Sequence, residues 1–110
     1  MAYHQKKYQQ QGADQRSLCL HRCIAHKIKS NPALLTQVFD TLESRYAERL
    51  MSYGSYLHWQ AILSLSADHQ QFYNALTAED KTTTALRRKT IFTGILNEKE
   101  RRDCLAALLD

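Results

Sequence analysis

Proline is nearly missing from this chain, with Pro32 alone, and glycine occurs only at Gly12, Gly54 and Gly94. Sheets of many strands need sharp turns built from those residues, so the scarcity favours helices joined by short links. Long hydrophobic runs are also missing. The longest, Cys104 to Leu109, is far too short to cross a bilayer. The segment Met1 to Arg16 is polar and glutamine-rich and holds no apolar stretch able to act as a signal peptide. Cysteine is limited to Cys19, Cys23 and Cys104, an odd number in a chain able to build an ordinary core, so reduced thiols in a cytoplasm are expected. Catalytic signatures are equally scarce. There is no phosphate-cradling glycine loop, no His-Glu-x-x-His and no paired-acid motif. Cys and His are present, yet nothing sets them in a nucleophile turn or beside an oxyanion hole. The chain is not expected to be an enzyme or to need a cofactor or metal.

What is present suits one globular domain. The 110 residues are 44% apolar and include six Tyr, three Phe and one Trp. A chain of this size buries roughly 60–70% of its unfolded surface, enough for a core without staples. The net charge of +4 is unevenly spread. Residues 1–29 carry six Lys/Arg and one Asp, residues 30–80 two Arg and six acids, and residues 81–110 seven Lys/Arg and four acids. No Lys or Arg lies between Arg49 and Lys81. Basic ends suit a nucleic acid or an acidic protein surface, although solvated helix faces produce the same pattern.

Along the chain, Met1 to Ala13 is expected to be a flexible polar arm, because Gln9, Gln10, Gln11 and Gly12 offer nothing to bury. Residues 14–110 form the single helical domain. Asp14 or Ser17 caps a first helix to about Ser30, with Leu20, Ile24 and Ile28 as its apolar stripe. Asn31-Pro32 restarts the chain, Asn31 capping a second helix to about Met51 that buries Leu35, Val38, Phe39, Leu42 and Tyr46. Arg49 falls on that stripe and is expected to snorkel. Tyr53-Gly54-Ser55 stops the helix, and Tyr56, Trp59, Ile62 and Leu63 mark a third. Ser64 or Ser66 caps a fourth with Phe72 and Leu76. Thr77 to Asp80 starts a fifth, ending near Lys89. Thr90 to Leu96 is expected to be an extended loop packed on the core, and Asn97-Glu98-Lys99-Glu100 reads as a capping box opening a last helix that buries Cys104, Leu105 and Leu108. The fold class is therefore all-α, a compact bundle of five to six helices with a disordered N-terminal arm.

Two constellations bear on chemistry. Cys19, Cys23 and His26 fall within about 60° of one another on a helix and are ligand types that zinc prefers. A fourth ligand is missing, since His21 points the other way and Cys104, His58 or His69 would have to arrive from elsewhere. Half-buried thiols beside the core stripe are expected instead. The second is a helix-turn-helix around Gly54, whose recognition helix Ser55 to Leu63 would offer only His58 and Gln60 to bases and no cation to phosphates. Cations for a partner are found elsewhere, at Arg22 and Lys27 on the first helix and at Arg87, Arg88 and Lys89 at the end of the fifth.

Three stretches carry a resemblance. They are Leu20 to Ile28 followed by Asn31-Pro32-Ala33-Leu34-Leu35, then Tyr56 to Leu63, then Leu86 to Leu96 with Glu100-Arg101 after it. The most specific element is Leu86-Arg87, four residues, then Phe92-Thr93-Gly94-Ile95-Leu96. In order and spacing they resemble a group of short bacterial proteins, some encoded beside nucleotidyltransferase-type or other toxins in toxin–antitoxin-like gene pairs. That group tends to have Ala at Cys23, an acid at His26, an acid at His58, and Ser-Pro where this chain has Thr90-Ile91. The resemblance implies a partner-binding role and leaves the mechanism open, and the first expectation is an antitoxin-like protein that binds and neutralises a cognate protein toxin. A regulator binding DNA or RNA through the basic ends, and a phage- or plasmid-encoded inhibitor of a host defence system, remain the alternatives.

Overall fold

The computed structural model describes residues 2–109, with side chains from Gln9 onward. Six α-helices and two short 3-10 turns account for its regular structure, with no strand among the described residues. The first helix, α1 (Ala2–Ser30), starts upstream of the expected caps. Gln, Lys, Ala and Arg are good helix formers and nothing before Asn31-Pro32 breaks the run, so Asp14 and Ser17 lie inside the helix and neither caps it. The expected arm falls partly outside the described side chains. From Gln9 its backbone is continuous with α1, and Gln10 donates to Asp14 at 3.0 Å.

Asn31 and Pro32 do break the helix, but the Asn31 side chain makes no cap bond, and a 3-10 turn (Pro32–Leu34) intervenes before α2 (Leu35–Ala47). α2 also ends earlier than its apolar pattern indicates. Arg49 adopts a left-handed conformation at φ 60°. The Leu50 N–H bonds the Arg45 carbonyl at 2.9 Å, and the Arg49 N–H bonds the Tyr46 carbonyl at 3.0 Å. This is a Schellman closure in which Arg stands where Gly is usual, so Arg49 terminates the helix and does not snorkel along it. Val38 and Leu42 are buried, whereas Phe39 is 43% exposed.

Serine and aspartate caps set the next three helices. Ser52 accepts from the Ser55 N–H and opens α3 (Tyr53–Leu63), which therefore contains Gly54. Asp68 opens α4 (His69–Leu76) in place of Ser64 or Ser66, and Asp80 opens α5 (Lys81–Arg88). The Asp80 carboxyl is held below its ordinary range by the Thr83 backbone N–H and the Thr83 hydroxyl. Thr82 and Thr84 are helical despite their branching because Thr83 is buried and tied to the cap. The last helix, α6 (Glu98–Ala106), has the expected capping box. The Glu100 N–H bonds Asn97 Oδ1 at 2.8 Å and the Asn97 N–H bonds Glu100 Oε1 at 2.9 Å. Leu108 lies beyond the helix and is 47% exposed, so the buried face of α6 is led by Cys104.

α1 runs through the centre of the assembly, touching α4, α5 and α6, while α2 and α3 close the other side. The core draws Ile24 and Ile28 from α1, Trp59, Ile62 and Leu63 from α3, Phe72 and Leu76 from α4, and Ile91, Phe92 and Ile95 from the α5–α6 loop. That loop packs on the core without strand pairing, as Gly94 and its isolation from other strand-like segments indicated against its β-branched composition. Gly94 turns it at φ +79°, and a Cβ there would meet Gln37 Nε2 at 3.2 Å.

Candidate binding surface

Phe92 is the meeting point of the three resembling stretches. Its ring lies 5.7 Å from Trp59, 6.0 Å from His21 and 6.3 Å from Phe72, and it is only 2% exposed. The motif around it is therefore a packing motif. His21, from the first stretch, is buried beside it. Its Nδ1–H donates to the Ser17 carbonyl at 2.6 Å, and its Nε2 accepts from the Thr90 hydroxyl at 2.7 Å. Thr90 Oγ1 in turn accepts from the Phe92 N–H at 3.1 Å. Burial pushes the His21 pKa down to about 4, Arg87 adding to the effect and the Ser17 bond opposing it, so the ring is neutral at pH 7.

The three adjacent cations at the end of α5 divide. Arg87 is 3% exposed and cannot serve as a partner contact. Its guanidinium donates to the carbonyls of Leu76 at 3.0 Å and Ala78 at 2.7 Å, satisfying the C-terminus of α4 where a cation also suits the helix dipole. Nε finds no partner among the described residues, and desolvation lowers the Arg87 pKa without removing the charge. Arg88 points outward and pairs with Asp14 through Nε at 3.0 Å and Nη2 at 2.8 Å. That pair lowers the Asp14 pKa and raises that of Arg88. Lys89 is exposed and enters no ion pair among the described residues.

The two cations expected on α1 also separate. Lys27 is committed inside the fold, donating to the Ile95 carbonyl at 2.7 Å and pairing with Glu100 at 2.6 Å, so it is not a free contact. The Glu100 carboxyl, which also accepts in the capping box, is held below its ordinary range by the Asn97 backbone N–H first and Lys27 second. Arg22 is exposed on α1 and does not line the cleft described next.

Arg88 and Lys89 stand on the rim of a cleft of about 750 Å³ between the end of α2, α3 and α5. Buried Trp59 and Leu86 form its floor together with half-buried Met51, while Leu50, His58, Ala85 and Arg45 complete its walls. Arg45 was not legible as a site residue from periodicity. Its head group leaves α2 and donates to the Thr90 carbonyl and to Thr93 Oγ1 at 3.3 Å, which brings a third cation to the rim. The chemistry available is recognition of an apolar side chain flanked by acidic or hydrogen-bonding groups. Ser52, Ser55 and Thr82 line it together with His58, and no carboxylate does among the described residues.

The cysteines depart from expectation. Cys23 and Cys104 are joined by a disulfide with their Cα atoms 6.6 Å apart, and only Cys19 is a free thiol, so the expectation of three reduced thiols is corrected. Cys104 does arrive from α6 at the α1 face carrying Cys19 and Cys23. His26 turns away toward His69 and Tyr73, with ring centroids at 5.7 and 5.5 Å. Among the described residues no group of three His, Cys, Asp or Glu is placed to hold a metal ion. In comparison with known proteins, no family model, curated protein or solved structure matches the chain.

Proposed function

We propose that the chain is an antitoxin-like binding protein that neutralises a protein partner by seating a segment of it in the cleft between α3 and α5. The observation that carries this is the pairing of an apolar lining, exposed Leu50 and half-buried Met51 over buried Trp59 and Leu86, with a rim of Arg45, Arg88 and Lys89. Exposed apolar area with Met within it and Arg around it matches the composition of protein interfaces. Arg88 is already paired, but its bond to Asp14 is surface-exposed and screened by solvent, so a partner carboxylate can replace Asp14 at little cost. The resemblance to toxin-linked proteins supplies the class of partner. A nucleotidyltransferase-type toxin presents metal-binding acids in its nucleotide pocket, and a basic-rimmed cleft suits a segment carrying such acids. A cytoplasmic setting rests in the same proposal on the resemblance alone, since the Cys23–Cys104 bond removes the reduced-thiol argument for it. No helix among the described residues is long and apolar enough to cross a membrane.

The test is co-expression of the full chain with the product of its neighbouring gene, scored by growth rescue and copurification. Ala85→Arg would fill the cleft and Lys89→Glu would reverse its rim, both from exposed positions on or beside α5. Each should lower affinity at least about tenfold, the worth of about 1.4 kcal/mol, with the melting temperature unchanged. A complex insensitive to both changes would sink the cleft as the binding surface. Tight binding to nucleic acid alone, weakening steeply with salt, would favour the regulator instead.

A further inference from the structure

Cys104 stands where two thiols of α1, one helical turn apart, both reach it. Cys19 and Cys23 are four residues apart and so share a helix face. Cys104 Sγ is bonded to Cys23, and Cys19 Sγ lies only 3.3 Å from Cys104 Sγ while donating to the Cys104 carbonyl at 3.4 Å. Accessibility differs in a useful way. Cys104 is 8% exposed, whereas Cys19 and Cys23 on α1 are both half-buried. A disulfide with no third sulfur beside it is a staple. A disulfide whose buried sulfur also touches a free thiol has the arrangement needed for exchange, because a thiolate attacks the central sulfur and displaces the other.

We propose that Cys19, Cys23 and Cys104 form a thiol–disulfide exchange site that takes a low-molecular-weight disulfide as its oxidant. Starting from the reduced chain, the Cys19 thiolate attacks one sulfur of the small disulfide. The reagent's S–S bond breaks, a mixed disulfide forms on Cys19, and the first small thiolate leaves to be protonated by water. The Cys104 thiolate then attacks the Cys19 sulfur and expels the second small thiolate, forming Cys19–Cys104. Finally the Cys23 thiolate attacks Cys104 Sγ, giving the Cys23–Cys104 bond and returning Cys19 as a free thiolate. Two protein thiols are oxidised and one small disulfide is reduced to two thiols. The end state is the one observed, in which Cys19 is free and Cys23–Cys104 ties α1 to α6 across a sequence separation of 81 residues.

The sequence makes the pairings easy to separate. Trypsin cuts after Arg16, Arg22, Lys27 and Arg102, placing Cys19, Cys23 and Cys104 on three different peptides. The reduced full chain is mixed with oxidised glutathione, quenched with acid at intervals, digested and mapped by mass spectrometry. Wild type should show a glutathione adduct on Cys19 or a Cys19–Cys104 link first, and Cys23–Cys104 last. Cys23→Ser should still close a disulfide, now Cys19–Cys104, and Cys104→Ser should stop at the Cys19 adduct. Cys19→Ser should slow closure of Cys23–Cys104 by about twofold or more, since the oxidant is then left with Cys23 as its one half-buried target on α1. Closure in Cys19→Ser at the wild-type rate would overturn the proposal. So would a Cys23→Ser chain of native helix content that gathers glutathione adducts without a Cys19–Cys104 link. Should Cys23→Ser not fold, the wild-type order of appearance and the Cys19→Ser rate decide between the two outcomes.

Discussion

Two irregular connections in this molecule are built in opposite ways. Residues 89–97 join α5 to α6 and bury Ile91, Phe92 and Ile95. Every approach to them is tied down: the Thr90 hydroxyl to His21, the Thr90 carbonyl to Arg45, the Ile95 carbonyl to Lys27. Residues 48–52 join α2 to α3 and bury no residue fully, Met51 alone being half-buried against the core. Leu50 is 62% exposed, and the neighbouring Tyr53 at the start of α3 is 61% exposed. Arg49 holds a left-handed conformation that costs about 1–2 kcal/mol for a residue with a Cβ. Regular hydrogen bonding is thus a poor guide to which segment anchors the fold. The α5–α6 loop, with no helix or strand of its own, is the segment on which α1, α2 and α3 converge, and the corner is the segment that can yield.

The largest expected break in that contrast is Phe92→Ala. Removing a ring that packs on Trp59, Phe72 and His21 should cost about 4 kcal/mol in denaturant unfolding. Tyr53→Ala, at the corner, should stay within about 0.5 kcal/mol. Equal losses at the two positions would mean that the loop is not the anchor.

Next is Arg87→Ala, expected to cost about 3 kcal/mol because it strips the Leu76 and Ala78 carbonyls of their charged donor. Arg87→Lys should restore only part of this, as one ammonium cannot reproduce the planar fork. Arg88→Ala should leave the melting temperature nearly unchanged, its pair with Asp14 being exposed. Similar effects for Arg87 and Arg88 would contradict the division of the three cations.

A pH titration sharpens the role of His21. Its folded pKa of about 4 lies below the ordinary imidazole value of 6.5, so protons bind the unfolded chain more readily. Its contribution is complete above pH 6.5 and is lost as pH falls toward 4, a loss of about 3 kcal/mol. His69, near the surface, is shifted in the same direction, and the lowered carboxyls of Asp14, Asp80 and Glu100 add their own losses at the acid end of that window and below. Comparing wild type with His21→Leu between pH 6.5 and 5 isolates the buried ring. An unchanged slope there would show that His21 is not held neutral by the fold.

The smallest effect has the opposite sign. Arg49→Gly should stabilise by about 1 kcal/mol, read as a raised denaturation midpoint, because Gly adopts the left-handed closure without the Cβ penalty. Gly94→Ala, where the chain is also left-handed and Gln37 crowds the Cβ, should destabilise. Together they distinguish the strained corner from the loop that already has its glycine.

Local pattern was enough for much of the fold. The helical class, the break at Asn31-Pro32 and the capping box of Asn97 and Glu100 all follow from propensities and periodicities within a few residues. Helix ends were less legible, because Asp68, Asp80 and the Arg49 closure compete with neighbours of equal capping ability. The candidate site was legible only in part. Three consecutive cations on a helix cannot share a face, yet which one turns inward depends on where α4 ends. It is the carbonyls of Leu76 and Ala78 that draw Arg87 in and leave Arg88 and Lys89 on the cleft. Lys27 is claimed in the same way by Glu100, and Cys104 meets Cys23 across 81 residues. Such partners are set by the packing of distant elements, since a side chain's desolvation and its hydrogen-bond supply are properties of its surroundings and not of its own stretch of chain.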